Sequence, residues 1–125
     1  MPTTDKTLKD CRILIVEDEY LLADELRVEL ESAGAIVLGP VAALIDAVEL
    51  IQTEGIIDGA LLDANLSGEM VFSAADMLID RGVPIVFTTG YDASVIPSRF
   101  REVARCEKPV SIKHVTQAIG RAIHA

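Results

Sequence analysis

Residues 12–34 read RILIVEDEYLLADELRVELESAG. The first part, Arg12–Val16, is a short apolar run rich in β-branched residues, the pattern of a strand buried on both faces. The second part, Glu19–Ala33, sets Leu22, Leu26 and Leu30 at i, i+4 and i+8, one stripe of a helix. Gly34 is a natural stop, because glycine accepts the left-handed conformation that ends many helices. Between strand and helix stand three acids, Glu17-Asp18-Glu19. The stretch is one βα unit with charge at its joint.

The same unit recurs along the chain. Ala35–Leu38 reads as a second strand closed by Gly39-Pro40, and Leu44, Ile45, Val48 and Ile51 mark a second amphipathic helix ending near Gly55. Ile57–Asp63 is a third strand; Gly68-Glu69 opens a third helix with Val71, Ala75 and Leu78 on one face, and Gly82 ends it. Pro84–Thr88 is a fourth strand, with proline confined to its first residue. Asp92 or Ser94 caps a short fourth helix that holds Pro97 in its first turn. Val103–Cys106 is a fifth strand, and Ser111 caps a last helix with Ile112, Val115, Ile119, Ala122 and Ile123 inward. Repeated βαβ units imply a parallel sheet with right-handed crossovers and helices on both faces, a doubly wound (βα)5 α/β fold. The third strand, consistently apolar, belongs in the middle.

A chain of 125 residues suits one domain, and 50% hydrophobic with only 4% aromatic residues makes its core aliphatic. No apolar run reaches the roughly 18 residues of a membrane span, and Met1–Asp10 lacks a signal-peptide core, so the expected location is the cytoplasm, without membrane contact. Cys11 and Cys106 are too few for a disulfide framework, and His114 and His124 lack metal-ligand spacing and read as solvated helix-face residues. The net charge of −9 argues against nucleic acid as a partner. It is uneven: residues 1–98 set five bases against 18 acids, whereas Arg99, Arg101, Arg105, Lys108, Lys113 and Arg121 face only Glu102 and Glu107. The last quarter is either a basic face or a set of ordinary solvated side chains.

Four polar signatures follow apolar runs: Glu17-Asp18, Asp63, Thr88-Thr89 and Lys108-Pro109. In open α/β sheets ligands bind outside the carboxyl ends of the strands, so these groups converge if their strands are neighbours. Three carboxylates in one mouth repel unless a cation offsets them, and Mg²⁺, a hard ion that keeps waters and accepts phosphate oxygens, suits them. The acids at 17–19 alone also read as dipole-favouring residues at a helix start. Asp63 is either a structural cap or a nucleophile of the aspartyl-phosphate kind. Lys108 would neutralise a phosphoryl group, and Thr89, with Thr88 as the alternative, would hydrogen-bond it.

These signatures together resemble the receiver domains of two-component response regulators, over about Lys9 to Ala125. ILIVEDE is similar to the acidic-pair strand, LLDANLSG to the phosphoacceptor strand, IVFTTGYD to the switch strand and CEKPVS to the lysine–proline end. The resemblance implies a flavodoxin-like sheet of order 2-1-3-4-5, with residues 1–8 a polar extension and 9–125 the receiver domain. It implies that Asp63 is phosphorylated, that Glu17, Asp18, Asp63 and the Asn65 carbonyl hold Mg²⁺, that Thr89 is the switch hydroxyl and that Lys108 bonds the phosphoryl group. It also implies a cis bond before Pro109. Leu66-Ser67 stands where Met-Pro is usual, Gly90 where Ala is usual and Arg105 where Tyr or Phe is usual. The run around Thr89 resembles a subfamily with a Phe-x-Thr-Gly-Tyr motif, found as single-domain receivers and in alphaproteobacterial stress signalling. Gly90, Tyr91 and Arg105 join Thr89 as readout residues, with Tyr91 either a substitute for the missing aromatic or a packed loop residue.

The implied function is that of a stand-alone phosphoacceptor, since the chain ends at Ala125. Its donor is a histidine kinase or histidine phosphotransfer protein. Its output is a downstream protein target on the face of the fourth helix, fifth strand and fifth helix, or a role as phosphate sink or relay. The expected state is a monomer or weak dimer, not an enzyme beyond its own phosphorylation and dephosphorylation. One alternative is a small aspartyl-phosphate phosphohydrolase, disfavoured because Asn65 stands where such enzymes carry a general acid. Another is an interaction module of the same fold that is not phosphorylated.

Overall fold

Five parallel strands run through the centre of the computed structural model, which describes residues 8–90 and 96–125. They are β1 (Arg12–Val16), β2 (Ile36–Val41), β3 (Gly59–Asp63), β6 (Ile85–Thr89) and β7 (Ala104–Glu107), side by side as β2-β1-β3-β6-β7. Two short strands, β4 (Asn65–Leu66) and β5 (Glu69–Met70), pair antiparallel as a separate hairpin. With that hairpin set aside, the sheet has the expected order 2-1-3-4-5. Helices α1 (Tyr20–Ser32), α2 (Leu44–Thr53), α3 (Phe72–Asp80) and α4 (Ile112–Ile123) cover its two faces.

Strand alternation divides the core in two. Leu14, Val16, Ala60, Leu62, Ile85 and Phe87 meet α2 and α3 on one side. Ile13, Ile15, Leu61, Val86 and Cys106 meet α1 and α4 on the other. The stripe of α1 is buried through Leu26 and Leu30, with Leu22 packed at its margin. Leu8, placed by the sequence in a polar extension, is buried in this second layer. The three phenylalanines of the chain form one cluster, Phe72 stacked on Phe100 at 5.6 Å and Phe87 edge-on to both. Arg99 lies 4.5 Å over the Phe100 ring and grips Asp76 of α3 with two hydrogen bonds of 2.9 and 3.1 Å.

Several boundaries differ from the sequence reading. β2 continues through Gly39-Pro40 to Val41, which proline permits because β2 is an edge strand. The register against β1 shifts between Leu14 and Val16, and Gly39 takes φ +90°. A Cβ there would lie 2.9 Å from the Val41 nitrogen and 3.0 Å from the Ile15 oxygen, so only glycine fits. The extra residues let the Val41 carbonyl accept a hydrogen bond of 2.9 Å from the Glu17 amide. Ile45, expected on the buried stripe of α2, is 76% exposed; Ala47 and Ile51 are the buried residues.

The third helix begins at Phe72, not at Gly68-Glu69. Leu66–Glu69 instead turns the β4–β5 hairpin with positive φ at both central residues, Ser67 at 53° and Gly68 at 99°, as a type I′ turn requires. Val71, Ala75 and Leu78 are buried as read. The residues proposed to cap a fourth helix, Asp92 and Ser94, lie outside the described residues, and Pro97 precedes a 3₁₀ turn at Ser98–Phe100. At the other end, the Ser111 hydroxyl accepts from the His114 amide and caps α4. No helix among the described residues is long and apolar enough to cross a membrane.

Candidate functional site

The carboxyl ends of β1, β3 and β6 lie next to one another, and the hydrogen bonding of the sheet continues past them. The Ala64 amide donates to the Thr88 carbonyl at 3.0 Å, and the Lys108 amide to the Thr89 carbonyl at 2.7 Å. This brings Glu17, Asp18, Asp63, Thr88, Thr89 and Lys108 to one mouth. An open cavity of about 740 Å³ lies there, lined among others by Asp18, Glu19, Asp63, Asn65, Ser67, Thr89 and Lys108. The Lys108–Pro109 and Gly39–Pro40 peptide bonds are cis.

Lys108 organises the acids. Its Nζ donates to Asp63 Oδ2 at 2.9 Å, to Glu17 Oε2 at 3.2 Å and to Glu19 Oε2. Glu17 and Asp63 are buried, each 3% exposed, whereas Glu19 is exposed. Burial pushes the Glu17 carboxyl up to about 8, and the hydrogen bond and charge of Asp63 add to it; the Glu19 amide and Lys108 only partly oppose this. Burial pulls the Lys108 ammonium down, but its bonds to Glu19 and Asp63 and the nearby negative charge outweigh that, and its pKa is raised. Both partners of one ion pair are thus shifted up, because one ammonium cannot offset burial and a second carboxylate together.

Asp18 is half-buried and accepts a hydrogen bond from the Ser67 hydroxyl. The Asn65 amide donates to Asp63 Oδ1 at 3.1 Å, and Asn65 Oδ1 accepts from the Gly68 amide at 2.6 Å. Carboxylate oxygens of Glu17, Asp18 and Asp63 lie within 4.8 Å of one another. Oxygens held about 2.1 Å from a single Mg²⁺ lie roughly 3–4 Å apart, so small rotations bring these three onto one ion. The donor set, all hard oxygens beside an open cavity, fits such a cation.

The two threonines divide. Thr88 shares the face of Asp63, with which it is in register, and its hydroxyl makes only a long 3.5 Å contact to Glu17. Thr89 lines the cavity, and its buried Oγ1 has no hydrogen-bond partner among the described residues. Gly90 is exposed at the rim, and Tyr91 lies outside the described residues. Arg105, in register with Phe87, is exposed on the edge strand β7, so its side chain is not brought to the mouth.

Two residues of the site were not picked out from the sequence. Glu19 was read only as an acid at a helix start, yet it pairs with Lys108. Ser67 was noted only as a departure from proline, yet it holds Asp18. That departure was the signal.

No protein-family model and no curated protein sequence matches the chain. Solved structures do. SdrG from Sphingomonas melonis Fr1 is 36% identical, with a TM-score of 0.79 over 95% of this chain and 98% of that one. The signal receiver domain of a modulated diguanylate cyclase from Desulfovibrio desulfuricans G20 is 32% identical, with a TM-score of 0.75 over 93% and 95%. A response regulator receiver protein from Sinorhizobium medicae WSM419, 24% identical with a TM-score of 0.79 over 93% and 96%, shares the fold. With its sheet order, its acidic mouth and these relatives, the chain belongs to the response regulator receiver domains.

Proposed function

We propose that this receiver domain accepts a phosphoryl group on Asp63 from a phosphohistidine of a histidine kinase or phosphotransfer protein. The observation that carries the reading is the position of Asp63. It is buried at a strand end, bonded to Lys108 at 2.9 Å, with oxygens of Glu17 and Asp18 close enough to share a cation with it. An Asp63 oxygen attacks phosphorus, the P–N bond of the donor breaks, and its electron pair returns to the imidazole nitrogen. Bound Mg²⁺, held by Glu17, Asp18, Asp63 and the Asn65 carbonyl, would supply charge neutralisation for the phosphoryl oxygens.

The chain's own groups do the rest. Lys108 already touches the accepting carboxylate and is placed to follow charge as it moves onto the phosphoryl oxygens. A phosphoryl oxygen entering the cavity would give the Thr89 hydroxyl the partner it lacks among the described residues. SdrG, the 36% identical relative, has also been solved in a BeF3-activated conformation, which supports a phosphoryl-sensing role here. The output would be contact with a protein target. Arg99, Arg101, Arg105, Lys113 and Arg121 are all exposed around β7 and α4, a surface that suits an acidic partner. The Phe-x-Thr-Gly-Tyr run at Phe87–Tyr91 supports membership of the corresponding subfamily.

Incubation with acetyl phosphate and Mg²⁺ tests the assignment. One phosphoryl adduct by intact mass is expected, absent in Asp63→Ala and absent with a chelator. An adduct that persists in Asp63→Ala would remove Asp63 from its role.

A further inference from the structure

Asp18 is the least buried of three close carboxylates, and Lys108 bonds only the other two and Glu19. Repulsion from Asp63 drives Asp18 outward, where water solvates a carboxylate better than the mouth does. One side-chain donor opposes that drift among the described residues, the hydroxyl of Ser67. We infer that Ser67 is the positioning residue that keeps Asp18 in the cation site, an inference that rests on the Mg²⁺-assisted phosphoacceptor reading.

The backbone explains why this serine can do so. Ser67 occupies the left-handed region at φ 53°, which the proline usual at this place cannot enter. The hairpin around it is tied to the acceptor itself. The Asn65 amide donates to Asp63, the Asn65 side chain holds the Gly68 amide, and Ser67 reaches from that turn to Asp18. The path starts at one candidate ligand and ends at another, so it fixes the distance between them. The hydroxyl fills one of about four acceptor positions on the carboxylate and leaves the others for a metal.

Ser67→Gly is the informative variant, because glycine keeps the turn and removes only the hydroxyl. Two readouts on the unphosphorylated protein are needed: Mg²⁺ affinity by calorimetric titration, and the Asp18 carboxyl carbon resonance without metal. Loss of an outer-shell partner weakens metal binding by about tenfold or more. The expected result is that loss, with the Asp18 resonance moved and amide protection across Asn65–Met70 retained. Unchanged Mg²⁺ affinity overturns the inference. So does a loss of affinity accompanied by loss of the hairpin's protected amides, which would make Ser67 merely structural. A wild-type chain that binds no Mg²⁺ overturns the cation reading itself, a separate failure.

Discussion

Glu17 combines burial, a neighbouring carboxylate and a single lysine, and the balance leaves its proton tightly held. Its carboxyl is raised from 4.5 to about 8 in the folded chain. A group that binds its proton more tightly when folded adds stability below its unfolded pKa. That stability fades as pH rises through the folded value. Metal-free protein should therefore lose stability progressively from pH 4.5 to about 8, and Glu17→Gln should flatten that slope. Denaturant melts at several pH values in chelator check this. Because a cation must displace the same proton, Mg²⁺ affinity should climb across the same window. Thr89 gives a second test. Its buried hydroxyl lacks a partner among the described residues, so Thr89→Val should leave the unphosphorylated protein as stable or more stable, by about 1 kcal/mol. The same variant should blunt the beryllofluoride-induced change seen in amide resonances. A large loss of stability would show that the hydroxyl has a structural partner.

At the scale of elements, the reach of β2 matters most for the site. Its bulge at Gly39 carries Val41 to the Glu17 amide, so an edge strand steadies the mouth. Gly39→Ala combines a positive φ with a Cβ 2.9 Å from backbone, and should cost about 2 kcal/mol or more. Gly55→Ala is the control: a Cβ there meets nothing within 4 Å, and the change should be near neutral. Equal effects in thermal melts would contradict the close-packed bulge. The sequence could not show this extension, since Gly39-Pro40 looks like a strand terminator when pairing partners are unknown. The same limit hid the β4–β5 hairpin. A type I′ turn is usually announced by Asn-Gly, and Ser67-Gly68 announces it weakly. Ile45 misled because its spacing fits the stripe, while the orientation of α2 is set by Ala47 and Ile51.

Across the whole molecule, the alternation of apolar runs and helical stripes was enough to reveal a doubly wound sheet. The three central strands β1, β3 and β6 are buried on both faces and so carry apolar runs that end in polar groups. The site was legible for the same reason. A charge that ends such a run has nowhere to go but the mouth, and Glu17, Asp63 and Lys108 meet there within hydrogen-bond distance of one another's groups. What stayed hidden depends on contacts between distant residues: Glu19 with Lys108, Ser67 with Asp18, and Phe72 with Phe87 and Phe100. The charge distribution is also a property of this scale. In an acidic chain, Arg101, Arg105, Lys113 and Arg121 are exposed around β7 and α4, beside exposed Glu102 and Glu107. The central claim is that Asp63 is the residue that takes the phosphoryl group. Borohydride reduction of the protein after acetyl phosphate and Mg²⁺ converts an aspartyl phosphate to homoserine, which peptide mass spectrometry can place. The account predicts homoserine at position 63 alone; homoserine at another acid, or none in a chain that carries the adduct, would contradict it.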